Sequence, residues 1–414
     1  MPNRRGALAK TIALLATLDT KGIEIAFMRD RIIERGHRAF VIDCGLIGEP
    51  ATAADISNAQ VAEAGGASLE TLRRHADREE SAPVMAAGAT KLVRECVARG
   101  EIQALVALGG TQGTTLSTAV MRALPYGFPK IMVSTMASGN VAPWVGISDI
   151  VMMYSVTDIM GLNPFMRRVL ANAAGAACGM AEVELADAAA KPLVAITTVG
   201  ITTKGAMKAA EVLQAAGYET ITFHAVGTGG RAMEEMMRQG LISAVLDYST
   251  IEVSNEMFHA LLAGGPDRLT TAGALGLPQV LCPGAIEVLV FNEPETVPAR
   301  YRDRRLVRHS PQITDLRLNR NEMADVGREV GRRLGSTKDD AVFLIPKAGF
   351  DSYATQGEPF SDPEADAAFV ETLRASLPAR VAVIERDLDI NEPAFATEAA
   401  TTLIGLMQAK AKAR

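Results

Sequence analysis

Leu105-Val-Ala-Leu-Gly-Gly-Thr-Gln-Gly-Thr-Thr-Leu116 is the stretch on which the fold turns. The apolar run 104–108 reads as a short buried strand. It breaks into a glycine-threonine loop at 109–115, just before a helical pattern over 116–124. A loop of this kind leaves the first amides of a helix unpaired at the positive end of its dipole, and glycines let a ligand approach the backbone closely. Gly109, Gly110, Thr111, Gln112, Gly113, Thr114 and Thr115 are therefore candidate anion-binding residues. The loop has neither the GK[ST] ending of a P-loop nor the GxGxxG spacing of a dinucleotide fingerprint, and a purely structural tight turn is the competing reading.

Upstream, residues 11–17 are strand-like, 18–22 a turn, 23–35 helical with a stop at Gly36, and 39–43 a second strand. A βαβ unit implies a parallel sheet with helices on its faces. The same unit recurs at 192–223, with Lys204-Gly205 matching Lys21-Gly22, and the segment 91–108 matches 231–246. The spacing of the two matches differs by 204 − 21 − (242 − 102) = 43 residues, which places an insertion at about 47–89 of the first copy. The expected fold is α/β, with two Rossmann-like domains built on parallel sheets from an internal duplication. Residues 1–186 form the nucleotide-binding domain and 187–414 the second domain. The insertion could cap a cleft, pair subunits or be a solvated excursion.

In doubly wound sheets ligands bind at the carboxyl ends of the strands, so the polar turns there supply the remaining candidates. Lys21 sits where a lysine can reach a phosphate as a point charge. Asp19 beside it could hold a ribose hydroxyl or a metal-bound water, or simply cap a helix. In the second half, Lys204, Gly227, Gly229, Gly230 and Ser352 occupy comparable turns, and Asp351 and His309 are candidate proton-transfer groups. The basic run 300–308 reads as a solvated face, with subunit contact as the alternative.

The chain has 414 residues, 48% of them apolar, with 36 glycines and a formal charge of −6. Such a surface has no general attraction for nucleic acid or anionic membranes. Cys44, Cys96, Cys178 and Cys282 lie too far apart to form a CxxC pair, so neither a metal site nor a disulfide framework is expected, and a reducing cytoplasm fits. No apolar run reaches the roughly 18 residues of a membrane span.

Five segments, ATLDTKG (16–22), GGTQGTTL (109–116), VSTMASG (133–139), PGA (283–285) and QGEPFSDPEAD (356–366), occur in an order that resembles one family. It is that of the ATP-binding N-terminal domain of the tomato mosaic virus resistance protein, with many uncharacterised bacterial relatives. The resemblance covers essentially the whole chain. It implies two Rossmann-like subdomains and ATP or a similar nucleotide at the glycine loops, and in the plant relative a viral replication protein as partner. Carried over, the nucleotide contacts fall on Lys21, residues 109–115, Ser138 and Gly139. The chain departs from the family at Asp387-Leu-Asp-Ile-Asn-Glu392, where members show Asp-x-His-Ile-Asn-Asp. The leading expectation is a cytoplasmic, homo-oligomeric protein that binds ATP with Mg2+ and uses it on a small acid. The alternatives are a lyase, hydrolase or isomerase of a small phosphorylated or carboxylated metabolite, and a nucleotide-gated partner-binding module.

Overall fold

Strands with nearly continuous apolar runs, each followed by an amphipathic helix, can bury both faces only inside a parallel sheet covered on both sides. The structure, a computed structural model, describes residues 9–74, 78–185 and 191–413 and shows this arrangement in both halves of the chain. Residues 1–187 and 188–414 form two compact units. The expected junction at residues 186–187 lies outside the described residues.

Unit 1 runs β1 (Thr11–Ala16), α1 (Leu18–Glu34), β2 (Arg38–Asp43), α2 (Asn58–Ala64), α3 (Leu69–Arg74), α4 (Arg78–Ala98), β3 (Ala104–Gly109), α5 (Thr111–Arg122), β4 (Lys130–Ser134), α6 (Ala142–Val145), β5 (Val151–Tyr154) and α7 (Pro164–Ala181). All its strands are parallel, in the order β2-β1-β3-β4-β5. Alternate residues of β1 feed opposite cores. Ile12 and Leu14 pack with Ile25 and Met28 of α1 and Leu170 of α7. Ala13 and Leu15 pack with Met85 and Val93 of α4 and Val120 of α5.

Unit 2 runs β6 (Leu193–Thr198), α8 (Thr203–Ala215), β7 (Glu219–His224), α9 (Thr228–Arg238), β8 (Ala244–Ser249), α10 (Ile251–Met257), α11 (Thr271–Leu275), β9 (Gln279–Gly284), β10 (Val288–Phe291), β11 (Leu306–Ser310), β12 (Ile313–Arg317), α12 (Arg320–Arg333), β13 (Ala341–Pro346), α13 (Pro363–Ser376), β14 (Val381–Arg386) and α14 (Pro393–Ala413). Its parallel sheet has the order β14-β13-β9-β8-β6-β7. Read from the second strand of each unit, β2-β1-β3-β4-β5 and β7-β6-β8-β9-β13 are the same path. Both units are therefore Rossmann-like, and the shared path is consistent with duplication.

Unit 2 differs in one respect that the sequence does not announce. Strands β10, β12 and β11 form a separate antiparallel sheet. It packs over the carboxyl ends of the parallel strands through Val288, Val290, Val307 and Ile313, against Val199, Ala225, Ile251 and Ala285. The basic run 300–308 leads into this sheet with Arg300, Arg302, Arg305 and Arg308 exposed, as a solvated face requires, and Arg304 partly buried. Arg304 bonds Glu322 and the carbonyl of Arg317 and lies over the Tyr301 ring. Among the described residues no helix is long and apolar enough to cross a membrane, and all four cysteines are free and buried.

Candidate functional site

The topological switch point of unit 1 lies between β1 and β3, where connections leave the sheet in opposite directions and open a crevice. A cavity of about 580 Å³ occupies that place. Ala16, Thr17, Asp19 and Thr20 line it from the end of β1, Cys44 from the end of β2, and Thr111, Gln112, Gly113 and Thr115 from α5. Its roof is the insertion: Leu46, Ile47, Ala82, Pro83 and Ala86 face the cavity. The insertion thus borders the cleft.

On the other side of the glycine loop lies a polar groove of about 450 Å³, bounded by Gly110, Thr111, Thr135, Tyr154, Val156, Thr157 and Asp158. Thr111 borders both spaces. Gly110 is the N-cap of α5, and the first amide of that helix bonded to a protein acceptor is that of Thr114, which donates to the Gly110 carbonyl at 2.8 Å. The N–H groups of Thr111, Gln112 and Gly113 precede it. Thr111 and Gln112 are exposed, so these donors stand between the apolar cleft and the polar groove. The groove wall holds Val156 at φ 65°, a left-handed conformation that a β-branched residue adopts only when its surroundings force it.

Several expected contacts fall elsewhere. Thr114 is fully buried, its hydroxyl 2.7 Å from Ser134 Oγ, so it fastens the helix to β4 instead of facing a ligand. Gly109 ends β3, and a Cβ there would lie 2.8 Å from Gly113 Cα, so this glycine serves packing. Ser138 and Gly139 are exposed and border neither space. The Lys21 ammonium donates to the Ile159 carbonyl, while Glu24 accepts from the Gly161 amide at 2.7 Å. Helix α1 thereby holds the segment that follows Asp158, and Lys21 acts on the groove through that segment. Lys21→Ala is expected to weaken ligand binding by only about 0.5–1.5 kcal/mol, the scale of one ordinary hydrogen bond. Calorimetry checks this, and a loss beyond a hundredfold would mean that the ammonium itself reaches the ligand. Asp19 does line the cleft. Its Oδ2 accepts from the amides of Ile47 and Gly48, tying the insertion down, while its buried Oδ1 has no partner.

The corresponding features of unit 2 are closed from within. Gly227, Gly229 and Gly230 do form a helix N-terminus, but its anion is Glu252. That carboxylate accepts from the amides of Gly227 at 2.6 Å and Gly230 at 3.0 Å, and from Arg268 Nε at 2.6 Å. A Cβ at Gly230 would meet Glu252 Oε2 at 2.0 Å. These glycines admit a side chain rather than a phosphate. Lys204 is exposed, and the turn beside it is bridged by Asn391, which accepts from Gly205 N at 3.1 Å and donates to the Ile201 carbonyl at 2.9 Å. Asp389 accepts from Asn391 N at 2.7 Å.

Residues 10–186 match the N-terminal domain, and residues 191–407 the C-terminal domain, of the uncharacterised protein family UPF0261. The chain belongs to that family. A UPF0261 protein of Clostridium tetani is 39% identical over 96% of this chain and 99% of its own length. One from Rhizobium meliloti is 39% identical over 94% and 97%. The ToMV resistance protein Tm-1(GCR237) of Solanum lycopersicum is 33% identical over 66% of this chain and 37% of the tomato protein. A solved putative UDP-N-acetylglucosamine 2-epimerase from Listeria monocytogenes is 12% identical over 66% of this chain and 79% of that one, with a TM-score of 0.24, too low to carry an argument.

The proton-transfer candidates of this UPF0261 chain cluster around its antiparallel sheet. Pairing of β11 with β12 shifts register between Arg308 and Ser310, so His309 sits at a β-bulge, a device that re-aims a side chain. Its Nδ1 lies 3.1 Å from the Tyr353 hydroxyl and 3.7 Å from Asp315 Oδ2. Burial raises the Asp315 carboxyl to about 6, partly opposed by His309. In the unfolded chain that carboxyl ionises near 3.8. The folded state therefore holds its proton more tightly, and the associated stability is present below the unfolded value and lost as pH rises through about 6. Asp315→Asn is expected to remove this loss, on the order of 2–3 kcal/mol between pH 4 and 7, as read from urea unfolding at a series of pH values. Ser352 is exposed, whereas Asp351 is fully buried and so lies out of direct contact with a solute. Among the described residues no group of three or more His, Cys, Asp or Glu could hold a metal ion.

Proposed function

We propose that unit 1 binds a purine nucleotide such as ATP, with its base in the cleft beneath the insertion and its phosphates at the start of α5. The observation that carries this reading is the position of the three N-terminal amides of α5. They lie at the switch point of the sheet, between an apolar space large enough for a planar base and a polar groove. The donor chemistry suits a phosphate.

The residues bordering both spaces include two carboxylates, Asp19 and Asp158, and no lysine or arginine. A polyphosphate therefore needs a counter-charge that the lining does not supply. Mg2+ bound to the phosphates, with Asp158 facing the groove, would provide it. The use of ATP on a small acid belongs to the same reading, with the acid in the polar groove.

The test is calorimetry of the full chain with ATP, ADP, AMP and sugar phosphates, each with and without Mg2+. Adenine nucleotides are expected to bind, ATP with a strong Mg2+ dependence. Binding of a sugar phosphate but of no nucleotide would turn the assignment toward metabolite chemistry, and binding of neither would refute it.

A further inference from the structure

Of the buried side-chain atoms without a hydrogen-bond partner, an unusual share gathers at one place in unit 2. Both carboxyl oxygens of Glu287, Oδ2 of Asp351, and Nε and Nη1 of Arg317 are in this state. Glu287 and Asp351 are completely buried, and Arg317 is 9% exposed. Glu287 lies in the turn between β9 and β10, just after Ala285 at φ 56°, and Asp351 follows β13. Both sit at the carboxyl edge of the sheet that the antiparallel strands cover.

The two carboxyls are close enough to interact, and their surroundings are unequal. Asp351 Oδ1 accepts from the amides of Tyr353 at 2.6 Å and Ala354 at 3.0 Å, which favours its ionised form. No donor meets the Glu287 oxygens in hydrogen-bonding geometry, and its own backbone amide only weakly favours the ionised form. Arg317 hydrogen-bonds Asp366 at 2.7 Å and the Asp362 carbonyl at 3.2 Å, stands 3.6 Å from Glu287, and divides its charge between the two carboxyl groups. With both carboxyls ionised, orphan acceptors would face each other out of water, at a cost one guanidinium shared with Asp366 does not offset. A single proton turns one oxygen of Glu287 into a donor for Asp351 Oδ2 and leaves the cluster of Glu287, Asp351, Asp366 and Arg317 one charge less negative. Burial raises the Glu287 carboxyl in the same direction.

We propose that unit 2 contains a buried protonated centre: Glu287 and Asp351 hold one proton between them at neutral pH, resident on Glu287 and donated to Asp351 Oδ2. The centre is separate from the cleft of unit 1 and does not depend on a nucleotide binding there. On folding, Glu287 takes up a proton that the unfolded chain has lost above its ordinary carboxyl range, so this contribution to stability declines as pH rises.

The decisive variant is Glu287→Gln, the neutral isostere of a protonated glutamic acid. Proton uptake on refolding is measured in buffers of different ionisation enthalpy at pH 8, together with infrared difference spectra of the carboxyl carbonyl stretch. Glu287→Gln is expected to fold with at least the stability of the parent, to take up one proton fewer, and to lose one protonated-carboxyl band. A variant that unfolds or is strongly destabilised at pH 8 would show that Glu287 acts as a carboxylate for Arg317 and would overturn the proposal, as would an unchanged proton count.

Discussion

Glu252→Ala is expected to destabilise unit 2 by about 3–5 kcal/mol, the cost of leaving a buried charge without its partner. The side chains of Glu252 and Arg268 are both fully buried, and Arg268 also meets Asp247 at 2.6 Å and lies 3.8 Å from Glu234. Removing Glu252 strips Arg268 of one anion and leaves the amides of Gly227 and Gly230 facing an empty space. Glu234 does not replace it, because its oxygens already accept from the amides of Leu269 and Thr271. Urea unfolding followed by circular dichroism measures the loss, while the single tryptophan, Trp144, lies in unit 1 and reports that unit separately. An unchanged midpoint would show that the carboxylate is dispensable and that the glycine loop of unit 2 is free for another anion.

The second large effect is expected at the proposed nucleotide site. Thr111→Pro should weaken nucleotide binding by about 1.5–3 kcal/mol, the range for a hydrogen bond to a charged group, or roughly ten- to a hundredfold. Thr111 is the first residue of α5, where proline is well tolerated because the missing N–H has no helical acceptor. Gly110, at φ −76° and ψ −158°, already has the extended conformation that a residue before proline prefers. Thermal stability should therefore stay within about 1 kcal/mol of the parent, which separates loss of a ligand contact from loss of fold. Equal affinity in parent and variant would exclude the Thr111 amide as a phosphate donor.

Two glycine loops that look alike in the chain thus differ in what they hold. The start of α5 leaves its first amides without a protein acceptor, whereas the start of α9 gives its amides to Glu252. Nothing within either segment distinguishes them. The carboxylate that fills the second loop is 25 residues beyond Gly227 and one strand away. Distance along the chain also hid the wall of the unit 1 cleft, where Ala82, Pro83 and Ala86 approach Thr17 and Gln112 only because α4 packs on the same sheet face as α5. The expected turn at 18–22 is already helix α1, so Lys21 lies on a helix, and its reach to Ile159 depends on a segment 138 residues later.

Local sequence determined the parallel sheets, since each apolar strand, glycine stop and amphipathic helix is encoded within some 30 residues, and burial of both strand faces leaves one solution. It also determined that α5 begins in a glycine-rich turn with unpaired amides. Only tertiary structure decided which helix N-terminus stays open, that an antiparallel sheet covers the carboxyl edge of unit 2, and that Glu287 meets Asp351. These outcomes depend on which distant side chain reaches a given donor or acceptor first, and a buried polar group takes whatever partner the packed fold places beside it.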